Sequence, residues 1–170
     1  MDTTWKSVEP KSIPDNVFSL IGKQWMLVTA GSLQRWNTMT ASWGCLGVLW
    51  GMNVSFCFVR NTRYTFEFMN DASTYTLTFF TESYRSALDY CGSQSGRDVD
   101  KAAATGLTAV DIDGSVSFSE GRLVMVCRKL YQQDFDPELF VDGSIAKHYP
   151  QRDYHRTYIG EVSRCLVPAT

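Results

Sequence analysis

The chain is poor in the residues and motifs that most often announce a chemistry. It holds two histidines, His148 and His155, and neither pairs at ligand spacing with a cysteine or with the other, so no metal site is expected. No G-x-G-x-x-G follows a strand-like run, and neither G-x-S-x-G nor a P-loop occurs. A Rossmann nucleotide site is therefore not expected, and any difficult chemistry falls to a cofactor. The five cysteines are widely spaced, odd in number and free of C-x-x-C pairs. They read as small buried hydrophobes rather than metal ligands or a disulfide set, and a cytoplasmic, reducing compartment is the expectation that follows. An excess of positive charge is also missing: the net charge is -2, with no long basic run, which argues against nucleic acid as a partner. No apolar stretch reaches the length of a membrane span, so no membrane partner is expected. Met1 to Lys6 lack the apolar core of a signal peptide, and nothing marks the chain for export.

What is present is a globular composition. With 44% hydrophobic and 20% charged residues in 170, the chain is long enough for one domain with a full core, residues 1–170. Residues 1–18 are polar, carry Pro10 and Pro14, and are expected as an N-terminal arm. Strands are expected at residues 24–30, 35–43, 54–59, 74–80, 115–118, 120–131 and 158–167, from apolar runs and alternation. Residues 62–70 alternate like a strand at Tyr64, Phe66 and Phe68. Tyr84, Ala87, Leu88 and Cys91 follow helical spacing, with Gly92 as a stop. A second short helix is expected from Lys101 to Thr105, capped by Asp98 and ended by Gly106. One helical turn is expected in residues 134–140 around Pro137. Mostly β structure with short helices, not regularly alternating, points to a barrel rather than a doubly wound sheet.

Three segments carry candidate chemistry. Val59-Arg60-Asn61-Thr62-Arg63-Tyr64-Thr65 leaves a strand-like run with two arginines and two threonines crowded together. Guanidinium forks and hydroxyls suit a phosphate, and a helix starting there would add backbone N–H groups. A solvated turn is the alternative. Trp36-Asn37-Thr38-Met39-Thr40-Ala41-Ser42-Trp43 places short polar side chains between two indoles. It reads either as a ligand-facing strand or as the solvent face of an edge strand. Gly92 to Lys101 is a glycine-bearing turn into a capped helix start, with Arg97 and Lys101 nearby. By itself it reads better as an ordinary helix connection than as an anion site.

Together these segments resemble the flavin reductase-like family, the FMN-binding split barrels, and most closely its flavoredoxin-like branch. N-T-M-T-A-S-W at residues 37–43, V-R-N-T-R-Y-T at 59–65, C-G-S-Q-S-G-R-D-V-D-K at 91–101 and D-Y-H-R-T-Y-I-G-E-V at 153–162 carry the resemblance in order along the chain. It implies a six-stranded antiparallel split β-barrel with peripheral helices, a short helix at residues 62–70, and a homodimer with FMN near the subunit interface. It implies that Arg60, Arg63 and Thr65 hold the phosphate and that Tyr64 contributes backbone or ring contacts. Ser95 and Lys101 add to that anion site, and Asn37, Thr38, Met39, Thr40, Ala41, Ser42 and Trp43 run along the ring and ribityl chain. Gly51-Met52-Asn53 stands where many members have a Pro-Pro or Lys-Pro step, which leaves the shape of that loop open. No catalytic residue is assigned. His155 lies in a segment that approaches the cofactor in relatives, and reads either as facing a nicotinamide or as a surface or interface histidine. The implied activity is that of an NAD(P)H-dependent flavin reductase or oxidoreductase. The alternative is a flavoredoxin-type electron carrier without its own nicotinamide site. The electron acceptor is left open.

Overall fold

The computed structural model describes residues 5–169. Its frame is antiparallel: β1 (Trp5–Val8), β2 (Met26–Ser32), β3 (Arg35–Ala41), β4 (Gly44–Leu49), β5 (Met52–Arg60), β6 (Thr74–Phe79), β7 (Ala109–Ile112), β8 (Ser115–Phe118), β9 (Leu123–Asp134) and β10 (His155–Pro168). The main sheet runs β3-β2-β6-β9-β10-β5-β4, with β1 added against β10, and β7–β8 form a separate hairpin. Helices are short: α1 (Val17–Ser19), α2 (Thr65–Asp71), α3 (Arg85–Ser93) and α4 (Lys101–Thr105).

Strands β3 and β4 lie at opposite ends of this hydrogen-bonded path, yet only Ser42 and Trp43 separate them. Three residue steps reach roughly 10 Å at most, so the sheet must curl until its two ends meet at that corner. The side chains agree with the curl. Alternate residues of β2, β3, β5, β6, β9 and β10 converge on one buried cluster, including Val28, Met39, Cys57, Leu77, Met125 and Tyr158. Those six strands are the barrel wall that the resemblance implies. A second cluster lies outside β2 and β3, where Ala87, Leu88 and Cys91 of α3 pack on Leu27, Phe80 and Phe118.

Several expectations are corrected in detail. Within the expected N-terminal arm, Trp5–Val8 form a strand paired with Cys165–Pro168, and α1 follows; residues 1–4 lie outside the described residues. Residues 62–70, strand-like in alternation, form α2 from Thr65, as the resemblance implies. Gly92 does not stop α3, which continues to Ser93. A Cβ at Gly92 would sit 3.3 Å from Thr40 Cβ, so the glycine lets α3 approach β3. Asp100, not Asp98, caps α4: its carboxylate accepts from the Ala103 N–H at 3.0 Å, the reach a cap side chain has. The loop left open at residues 51–53 is a two-residue hairpin turn. Leu49 pairs with Met52, and Trp50 and Gly51 have φ of 52° and 72°, as a type I′ turn requires. All five cysteines are free, and Cys45 is exposed while the other four are buried.

Candidate functional site

The anion-friendly site grows from the end of β5. The chain turns after Arg60, with the Arg63 N–H donating to the Arg60 carbonyl at 3.0 Å, and α2 begins at Thr65. The Thr65 hydroxyl accepts from Asn37 Nδ2 at 2.7 Å, which ties the start of α2 to β3. From the other side, the link between α3 and α4 lays Ser95 and Gly96 against the same wall. A Cβ at Gly96 would stand 1.9 Å from Asn37 Oδ1, so only glycine fits there without displacing the asparagine. The pocket between them, about 100 Å³, is lined by Asn37, Thr62, Arg63, Tyr64, Thr65, Ser93, Gln94, Ser95, Gly96 and Lys101.

Two cations face this pocket without a counter-ion. Lys101 is 5% exposed. Its ammonium donates to the carbonyls of Thr38 at 2.7 Å and Cys91 at 2.8 Å, and one of its three N–H groups remains. Arg63 donates to the Gly92 carbonyl at 2.8 Å. Neither has a carboxylate within salt-bridge distance among the described residues. Burial lowers the Lys101 pKa to about 8; the Cys91 thiol opposes that shift and Arg63 adds to it. Burial also lowers that of Arg63, with Arg60 contributing. A small polar pocket with two desolvated, unpaired cations and several hydroxyls fits a phosphate monoester.

At the other end of β3 lies a different kind of space. From Asn37 to Ser42 the strand advances roughly 16 Å. There a cavity of about 820 Å³ opens, lined by Ser42, Trp43, Gly44, Cys45, Leu46 and Phe58 on the barrel, α1 and the residues after it, and Phe135, Ile145, His148 and Tyr149 from the β9–β10 connection. The Trp43 ring centroid is 5.3 Å from that of His155 and 5.4 Å from that of His148. His155 Nδ1 and the Tyr149 hydroxyl share a 2.7 Å hydrogen bond. Burial brings the His155 pKa down to about 4; the Arg60 charge adds to this and Asp153 opposes it. The imidazole is therefore neutral at pH 7.

A small anion pocket joined by one strand to a large apolar cavity matches the two ends of a phosphorylated ring compound. The family model described as the flavin reductase like domain matches residues 18–170. The chain belongs to the flavin reductase-like family. No curated protein sequence matches it. Among solved structures, an FMN-binding domain of a flavin reductases-like enzyme from Shewanella baltica is similar at 18% identity. The match covers 99% of this chain and 79% of that one, with a TM-score of 0.70. Flavoredoxin from Methanosarcina acetivorans is 21% identical over 93% of this chain and 75% of its own, with a TM-score of 0.67. The flavin reductase PheA2 is 12% identical over 86% and 80%, with a TM-score of 0.63.

Within this flavin reductase-like barrel, Asn37, Arg63, Tyr64, Thr65, Ser95 and Lys101 are brought together at the anion pocket. Ser42 and Trp43 line the cavity. The side chains between them are engaged inside the protein. Thr38 bonds Thr29 and the Val28 carbonyl, Thr40 donates to the Leu88 carbonyl, and Met39 and Ala41 sit in the barrel core. Arg60 is separated from Arg63. Its guanidinium holds Asp153 at 2.6 Å and the His148 carbonyl at 3.0 Å, 5.2 Å from the centre of the Tyr149 ring. Strand pairing explains the split, since Arg60 lies opposite His155 across β5 and β10. Thr62, Ser93, Gln94 and Gly96 also line the pocket; they lie in the two candidate segments but were not singled out as site residues, and Tyr149 was missed altogether. Nothing around Tyr149 forms a motif, and only the long β9–β10 connection hinted at it.

Proposed function

We propose that this protein binds FMN and works as a flavin-dependent oxidoreductase, with NAD(P)H as reductant. The observation that supports it most is the pair of cations, buried Lys101 and half-buried Arg63, that face one small polar pocket without a carboxylate. The phosphate of FMN would complete them, with hydroxyls of Thr62 and Thr65 as neutral donors. The ribityl chain would follow β3, and the isoalloxazine would reach Ser42 and Trp43. The flavin, when bound, supplies the redox chemistry. The protein holds its phosphate, presents an apolar floor and keeps water away from the ring. A homodimer with the ring near the interface belongs to the same proposal, as does a cytoplasmic location, which the free buried thiols favour. No helix among the described residues is long and apolar enough to cross a membrane.

One observation favours the carrier alternative. No lysine or arginine lines the cavity, so the phosphates of a dinucleotide would find no cation in it. NADH-driven bleaching of bound flavin separates the two: bleaching supports the reductase, and its absence with a chemically reducible flavin supports the carrier.

The flavin proposal itself is tested by titrating FMN fluorescence. Arg63→Ala with Lys101→Met is expected to weaken binding at least tenfold, the scale of one charge-assisted contact. Arg60→Ala is expected to stay close to the parent, because Arg60 points to the other site. Parent-like affinity in the double variant removes the phosphate assignment.

A further inference from the structure

A second space lies on the outer side of the barrel, beyond Phe135. Cys57 and Tyr158 belong to the barrel core, so their strand neighbours point outward. Strand pairing then sets Phe56, Ile159 and Tyr131 side by side in one outward row across β5, β10 and β9. Past Asp134 the chain leaves the sheet, makes a 3₁₀ turn at Pro137–Leu139, and brings Phe135 and Phe140 against that row. The result is a cavity of about 380 Å³. Phe135 lines this cavity and the one at the β3–β4 corner, and so stands between them.

Four aromatic residues line the outer cavity. Phe56 and Tyr131 are two strand spacings apart, roughly 10 Å, with Ile159 as the floor between them. A cation midway between the two is about 5 Å from each, inside the reach of a ring face for a charge, about 6 Å. Phe135 and Phe140 meet at 6.0 Å and 80° and close a corner. The charge of the walls has one sign. No lysine, arginine or histidine lines the cavity, whereas Asp134 and Asp136 do. Asp134 is neutralised by Arg156, whose Nε and Nη2 donate to its two oxygens at 2.6 and 2.8 Å. Asp136 has no cation within salt-bridge distance among the described residues. Its Oδ1 accepts the Glu138 N–H at 3.0 Å, which fixes the carboxylate and leaves Oδ2 outside that bond. A neutral apolar occupant would strip water from Asp136 and return nothing, and an anion would be repelled. One free carboxylate offers too few oxygens for a hard metal ion.

We propose that this outer cavity binds a small organic cation, an alkylated or quaternary ammonium. Its head lies between Phe56 and Tyr131, and its charge faces Asp136. Ring faces attract such a weakly hydrated cation, and the carboxylate supplies the counter-charge. The inference stands apart from the flavin proposal and does not need a flavin to be bound.

The test is an NMR titration of the isotope-labelled full chain with choline, following the backbone amides of Tyr131 and Ile159. The control is its uncharged isostere, in which carbon replaces the ammonium nitrogen. Choline is expected to shift both amides saturably and to bind threefold to tenfold more tightly than the isostere, the scale of a cation between ring faces. Asp136→Asn keeps an oxygen for the Glu138 N–H and removes the charge. It is expected to weaken choline by a similar factor and to leave the isostere unchanged. Tyr131→Leu, at a position 44% exposed where the fold tolerates change, is expected to weaken choline as well. Equal affinity for choline and the isostere overturns the inference. So does an Asp136→Asn or Tyr131→Leu protein that binds choline like the parent. Shifts confined to Trp43 and Ile145, on the other cavity, overturn it too.

Discussion

Lys101 carries its charge into a place that supplies carbonyl oxygens but no carboxylate. Burial holds its pKa near 8, against 10.5 for a free lysine. Below about pH 8 the folded and unfolded chains are both protonated and the full cost of the buried charge is felt. Between 8 and 10.5 the folded chain has lost the proton that the unfolded chain still binds, so stability from this group rises with pH. An anion in the pocket reverses the preference, because it favours the ammonium. FMN affinity is therefore expected to fall as pH rises past about 8, with proton uptake on binding, and Lys101→Met should remove most of that slope. Flat affinity from pH 7 to 9.5 in the parent protein would sink the assignment. The two arginines show where residue-level reading runs out. Arg60 and Arg63 sit in one sequence cluster and look alike there. The structure sends Arg63 to the phosphate-sized pocket and Arg60 to Asp153, because β5 ends between them and the chain turns. A linear sequence does not display a partner ninety residues away.

The elements that make the pocket were legible in proportion to how local their causes are. The apolar stripe of α3 and the αL glycine after α4 depend on neighbours in sequence, and both stand out there. β1 was invisible as a strand because its four residues are held by β10 at the far end of the chain. The linker between α3 and α4 is a middle case. Its glycines suggested a turn, but its fit against β3 could not be read. Gly96 marks that fit, since a methyl group there would push Asn37 away from Thr65. Gly96→Ala is accordingly expected to weaken FMN binding about threefold to tenfold, the scale of one buried hydrogen bond, while far-UV circular dichroism stays unchanged. Parent-like affinity would mean that the ligand does not depend on the Asn37 wall.

At the scale of the whole molecule, the barrel followed from strand content and family resemblance, whereas the surface it presents did not. A soluble barrel normally scatters its exposed apolar residues. Here Val48 and Trp50 are 74% and 58% exposed on the one β4–β5 hairpin, and Trp43 stands at the corner that leads into it. β4 also ends the hydrogen-bonded path, so among the described residues one of its edges has no neighbouring strand. An edge of that kind with apolar side chains is a liability for a lone chain unless something covers it. The proposed homodimer would do so, and would bring a second copy close to Trp43 and the cavity. Light scattering of the FMN-loaded protein is expected to give twice the chain mass. Val48→Glu with Trp50→Glu, at positions that touch neither the anion pocket nor the barrel core, is expected to shift it to the single-chain mass. A parent protein that is monomeric with FMN still bound would place the flavin site wholly within one chain. A charged hairpin variant that stays dimeric would move the interface to another face of the barrel.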